Sequence, residues 1–171
     1  FGFNTFLALY WIQELGQTET AGNTALSIYY AISAVSTLIG GRLADLCGYR
    51  RIIRIGFLLL LPSILLFTQA KSLILASLLL LPIGFALSLV YSPIVVLGQQ
   101  YLPNRVGLAS GVTLGLAVSI GGLFTPILGK IADASDLSTV LMTVGGITVI
   151  PCIISFFLPA VKRDKNAAIP L

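Results

Sequence analysis

The feature that most constrains this chain is where its charges are not. Between Glu19 and Arg42 lie 22 uncharged residues, between Arg54 and Lys71 16, and between Lys71 and Arg105 33. A further 24 separate Arg105 from Lys130, and 25 separate Asp136 from Lys162. Before Glu14 there are 13 more. A helix needs about 20 apolar residues to cross a hydrocarbon core of about 30 Å. Five runs are therefore spanning candidates, and the first is a partly polar or truncated sixth. The 16-residue run reaches both interfaces if Arg54 and Lys71 snorkel. Backbone groups in lipid must be satisfied internally, which leaves helices or barrel strands. Strands would alternate polar and apolar; Phe57–Leu61 and Leu78–Leu81 do not, so helices are expected.

Composition agrees. Hydrophobic residues make up 57% of the 171 and charged residues 9%, against about 25% charged in soluble domains. A soluble enzyme, a disordered chain and a nucleic-acid binder are all poor fits, since the net charge of +4 forms no basic face on a soluble domain. The chain has no histidine and two cysteines, Cys47 and Cys152, so neither a His-based metal or catalytic centre nor a disulfide framework is expected. Because it begins at Phe1 inside an apolar stretch, it is expected to be a piece of a longer protein whose N-terminal part is absent.

The expected fold is all-α, a multi-pass transmembrane six-helix bundle over residues 1–160. Its spans fall at about 2–16, 24–46, 52–69, 73–99, 107–131 and 138–158, and a tail follows at 161–171. Pro103 is expected to break the fourth helix and Asn104 to cap the fifth. Alternate loops share a side. One side holds Arg42, Arg50, Arg51, Arg54, Arg105, Lys162, Arg163 and Lys165; the other holds only Lys71 and Lys130. The excess of Lys/Arg in cytoplasmic loops puts the first side, and the C-terminal tail, inside the cell.

Where the second helix leaves the membrane on the inner side, the chain reads Gly41-Arg42-Leu43-Ala44-Asp45-Leu46-Cys47-Gly48-Tyr49-Arg50-Arg51. This resembles the inner-loop motif of the major facilitator superfamily (MFS), G-x-L-A-D-[RK]-x-G-[RK]-[RK]. Gly41 allows close helix approach, Gly48 supplies a tight turn, and Asp45 is within reach of Arg50 or Arg51 and of a helix N-terminus. Such a cluster can latch one conformation and release in another. Leu46 and Tyr49 depart from the pattern by replacing basic residues. The alternative is a positively charged loop with an incidental Asp. A second stretch, Gly98-Gln99-Gln100-Tyr101-Leu102-Pro103-Asn104-Arg105-Val106-Gly107-Leu108-Ala109-Ser110-Gly111-Val112-Thr113-Leu114-Gly115, looks like the fosmidomycin resistance subfamily. So does Phe3-Asn4-Thr5-Phe6 with Tyr10-Trp11.

The resemblance covers nearly the whole chain as the C-terminal half of a twelve-helix transporter. It implies alternating access, a small-molecule substrate and coupled protons. It also implies the bacterial inner membrane, with the lipid bilayer and the missing N-terminal half as partners. No cofactor, metal or nucleic acid is implied, and no enzymatic activity. Proton-coupled drug efflux is the leading expectation. A carrier of a sugar, organic acid or other metabolite, and a non-transporting membrane sensor, stay open on the residues alone.

Residue expectations follow. Gly107, Gly111, Gly115, Gly122 and Gly129, with Ser119 and Pro126, recur at three- and four-residue spacing and form a helix-packing stripe. The resemblance implies that the first, second, fourth and fifth helices border the central cavity. Its lining is expected to include Asn4, Tyr10, Trp11, Tyr29, Tyr30, Ser33, Ser88, Tyr91, Thr113 and Ser119, with Ser36 and Gly40 on the stripe of Tyr29 and Ser33. The alternatives are an interfacial aromatic belt for Trp11 and Tyr101, and self-bonding to the helix backbone for Ser and Thr. No charged residue lies mid-span. Glu14 is the one acid near a spanning core, so a coupling acid is expected in the missing half.

Overall fold

The structure, a computed structural model, describes residues 2–159. Every regular element in that range is helical. Helix α1 covers Gly2–Gln13, α2 Glu19–Cys47, α3 Tyr49–Thr68 and α4 Leu73–Tyr101. The fifth span is composite: a 3-10 turn at Pro103–Arg105, α5 at Val106–Ser110, a π-helical segment at Gly111–Leu116, and α6 at Ala117–Ala134. Helix α7 covers Leu137–Phe157. Five of the six spans are long and apolar enough to cross a membrane; α1, with 12 residues, is not. The tail expected at 161–171 lies outside the described residues, as do Lys162, Arg163 and Lys165.

Local chemistry sets the ends. The Thr18 hydroxyl accepts from Ala21 N at 3.3 Å and starts α2 at Glu19, five residues earlier than its apolar run suggests. Glu19 in the first turn suits the positive end of the helix dipole. Gly48 has φ +91° and joins α2 to α3 with no residue to spare; its N–H donates to Ala44 O at 2.9 Å. Only glycine holds that conformation without strain. α1 ends at Gln13 rather than at 16, because Glu14 N and Leu15 N both donate to Tyr10 O and Gly16 takes φ +60°. Asn104 makes no capping bond. It lies inside the 3-10 turn that Pro103 opens, a correction to the expected cap.

The helices pack around α4, which is flanked by α2 and α3; α3 also packs on α7, and α1 lies across α2 and α7. Half of the α4 spanning window is buried, against 6% for the fifth span. One element is therefore central and the other hangs on the margin. The α2–α4 seam is close because Gly40 has no side chain: a Cβ there would sit 2.9 Å from Leu89 Cα. Prolines 62, 82, 93, 126 and 151 lie inside helices, as membrane helices tolerate.

Candidate functional site

An aromatic block gathers around Phe67, near the C-terminal end of α3. Phe3, Tyr10, Trp11, Tyr29 and Phe67 are each at most 3% exposed. Phe67 meets Phe3, Tyr10 and Trp11 at centroid distances of 5.4, 5.0 and 6.0 Å. The Tyr10 hydroxyl donates to Phe67 O at 3.3 Å or Ala70 O at 3.2 Å, in the last turn of α3 and just beyond its end. Of the expected cavity residues, Tyr10 and Tyr29 are thus packed within this bundle, while Trp11 is both packed and part of the lining of a pocket of about 440 Å³ with Thr18, Thr24 and Leu80. Their physical reason is size: large rings on a short helix are the readiest apolar surface to fill the gap between α2, α3 and α7.

The polar stripe expected on α2 is likewise turned inward. Tyr29 and Ser36 are 3% and 2% exposed, and Gly40 lies against Leu89. The Tyr29 phenol is turned toward Ser33 and Asn4. Ser33 Oγ is nevertheless buried without a hydrogen bond of acceptable geometry. Ser36 donates to Ile32 O at 2.7 Å and satisfies itself on its own helix. Ser88 is buried. Thr113 donates to Ala109 O at 2.8 Å and rests against Gly98 of α4. Tyr30, Tyr91 and Ser119 are exposed, Tyr30 and Tyr91 by 52% and 55%.

At the turn between α2 and α3, Asp45 Oδ1 accepts from the Tyr49 hydroxyl at 2.6 Å. Tyr49, one of the two residues that depart from the family pattern, thus engages Asp45. Arg50 instead lies close enough to Tyr101 to act on its phenol electrostatically, and its Nε is buried without a hydrogen bond. The partners expected for Asp45 were Arg50 or Arg51; across the Gly48 turn it also takes a tyrosine–carboxylate bond.

Helix α7 is held at both ends by charges from other helices, which sequence reasoning missed. Leu137 N donates to Glu14 Oε1 at 3.1 Å. Arg54 donates to Ser155 O at 3.1 Å and Phe156 O at 2.7 Å, with its guanidinium 5.3 Å from the Phe156 ring centre. An anion at the N-terminus and a cation at the C-terminus both suit the helix dipole. One signal was available: a cation near the start of α3 opposes that helix's own dipole, which points to a partner elsewhere. Glu14 therefore works as a cap on α7. Asp136 is the helix's own N-cap; it accepts from the Thr139 hydroxyl and from Thr139 N at 2.9 Å. Those bonds hold its carboxyl below the usual aspartate value.

The glycine stripe meets nothing in this bundle. A Cβ at Gly107, Gly111, Gly115, Gly122 or Gly129 would find no atom within 4 Å. Among the described residues no cluster of His, Cys, Asp and Glu could hold a metal ion.

Long apolar helices packed on one central helix, arginines gathered at one end and a fifth span left bare define a multi-pass α-helical membrane protein. Its sequence matches the Major Facilitator Superfamily over residues 1–170, and the chain belongs to that family, which points to a transporter rather than an enzyme. It is 32% identical over 137 residues to the fosmidomycin resistance protein of Escherichia coli (strain K12), covering 80% of this chain and 34% of that protein. Two uncharacterized MFS-type transporters of Bacillus subtilis (strain 168) are also similar. YfnC is 32% identical over 81% of this chain and 34% of its own length, and YybF is 30% identical over 91% and 41%. The chain thus spans about a third to two-fifths of the curated relatives it matches.

Proposed function

We propose that this chain is the C-terminal half of a secondary transporter that exports a small drug-like molecule in exchange for protons. The carrying observation is the 32% identity to the fosmidomycin resistance protein over 80% of the chain. Transport proceeds by alternating access, two six-helix bundles rocking about a midplane site. The protein sits in the bacterial inner membrane with its arginine-rich side and C-terminus in the cytoplasm, as the Lys/Arg asymmetry supports. The bare stripe from Gly107 to Gly129 receives the absent N-terminal half. Small residues there permit the close, mobile contact that rocking needs. The loop from Gly41 to Arg51 is the inner latch, with Asp45 and Tyr49 as its bonded pair and Arg50 and Arg51 meeting the other half. The coupling acid lies outside this chain, since no acid stands mid-span here.

The test is fosmidomycin efflux by the full-length protein in energised vesicles and in vesicles whose proton gradient is collapsed. Gradient-dependent efflux is expected. Gradient-dependent flux of a sugar or organic acid without fosmidomycin would favour a metabolite carrier, and no flux of any cargo would refute the exporter.

A further inference from the structure

Helix α2 carries two polar stripes, and only one of them is used in packing. The stripe of Tyr29, Ser36 and Gly40 is buried. About a third of a turn away run Asn23, Ser27, Tyr30, Ala34, Thr37, Gly41 and Asp45, at spacings of three and four, within an arc of roughly 80° at 3.6 residues per turn. None of these seven is buried, and Asn23, Ser27, Tyr30, Ala34 and Asp45 are exposed. Another third of a turn on, Ile28, Val35, Leu38 and Ile39 are exposed by 51%, 59%, 76% and 40%. α2 therefore has three faces: one packed, one exposed and apolar, one exposed and polar. Lipid accounts for the apolar face. It does not account for the polar one, where amide and phenol groups in hydrocarbon would be left without partners at a cost of several kcal/mol.

Two of the hydroxyls are satisfied within the helix, Ser27 to Asn23 O at 2.9 Å and Thr37 to Ser33 O at 2.8 Å. Tyr30 makes no hydrogen bond among the described residues, yet its ring is fixed. It stands edge-on to Tyr29 at 5.6 Å, Tyr29 meets Phe3 at 5.7 Å, and Phe3 meets Phe67 at 5.4 Å. This ladder runs from the core to the exposed face and holds a free phenol at mid-depth of a 29-residue helix. The stripe has no charge between Glu19 and Arg42, so at mid-depth it offers hydrogen bonds and no ion pair.

We propose that Asn23, Ser27, Tyr30 and Thr37 form the water-facing wall that α2 gives to the translocation path, and that the Tyr30 hydroxyl hydrogen-bonds an uncharged polar group of the cargo. This proposal rests on the transporter reading; water access to the stripe, which thiol labelling measures, does not. Its test is thiol labelling of single cysteines in the full-length protein in membranes, with native cysteines such as Cys47 and Cys152 replaced by serine. The probe is a charged, membrane-impermeant methanethiosulfonate. Thiolates form poorly in lipid, so Ser27→Cys, Tyr30→Cys and Thr37→Cys are expected to react about tenfold or more faster than Val35→Cys, Leu38→Cys and Ile39→Cys. Equal rates, or faster reaction on the apolar face, would overturn the wall; so would silence of all six, which would mean the stripe is sealed by another helix. Tyr30→Phe is expected to raise KM about two- to tenfold, as loss of one neutral hydrogen bond implies, with kcat kept. An unchanged KM would overturn the role of the hydroxyl. A labelled stripe in a protein that moves no cargo would refute the transport reading and leave the water access standing.

Discussion

Gly40→Ala tests the packing logic at its tightest point. The added Cβ would lie 2.9 Å from Leu89 Cα, 3.0 Å from Leu89 O and 3.3 Å from Leu89 C. Carbon atoms pack best at about 3.5–4.0 Å. All three neighbours are backbone of α4, so no side chain can swing aside, and α2 and α4 must part by roughly half an ångström or more along their seam. Overpacking of this kind costs about 1–3 kcal/mol, which lowers the ratio of folded to unfolded protein about fivefold or more. Gly146→Ala is the matched control. It is also a helical glycine, and a Cβ there meets nothing within 4 Å. That substitution is expected to be neutral or to stabilise by up to about 1 kcal/mol, because alanine loses less entropy in a helix. Thermal unfolding of both purified variants in detergent compares them. If Gly40→Ala is as stable as the parent, or the two alanines act alike, the close α2–α4 seam is refuted.

Three further outcomes are expected. Arg54→Met removes both bonds to the end of α7; after allowance for partial exposure the loss is about 1–3 kcal/mol. Arg54→Lys should restore only part of it, because an ammonium lacks the guanidinium fork; unfolding midpoints check both, and a Met variant equal to the parent would refute the clasp. The Asp136 carboxyl is held below its ordinary value of 3.8 by its bonds to Thr139, so its stabilising effect is present above that value and lost as pH falls through the lower folded one. Asp136→Ala should therefore be less stable than the parent at neutral pH, with the gap closing only in strong acid; a gap that closes near pH 6 would count against it. Asp45→Asn and Tyr49→Phe should each slow flux while leaving insertion intact, and their double variant should be no slower than either alone. Additive losses would show that the two residues act separately.

The charge-free runs were legible because a bilayer imposes both a length and a penalty on charge, and those two constraints locate α2, α3, α4, α7 and the fifth span. The turn at Gly48 was legible from the glycine itself, but the expected gap of residues 47–51 between the two spans closes to Gly48 alone. Which face of α2 is open was not. Tyr29 and Tyr30 are neighbours, each begins a stripe with helical spacing, and periodicity cannot rank them. The choice is made by α1 and α4, which close on Tyr29 and Gly40. Tyr10 and Trp11 were read as wall residues because they are aromatic and lie within a span; both rings pack beside Phe67, and Trp11 also borders a pocket. The ties from Glu14 to Leu137 and from Arg54 to Ser155 join residues 123 and 101 positions apart, beyond the reach of any local pattern. The π-helical segment at Gly111–Leu116 has no sequence signal that separates it from the surrounding glycine repeat.

The most direct test of alternating access uses the two halves of the open stripe on α2. Ser27→Cys lies toward the Glu19 end of the helix and Thr37→Cys toward the Cys47 end. Their labelling rates by an impermeant thiol reagent would be measured in the full-length protein, with and without an imposed proton gradient. A carrier that opens to one side at a time predicts opposite changes, one site gaining access as the other loses it. Rates that rise and fall together, or do not respond at all, would contradict alternating access in this protein.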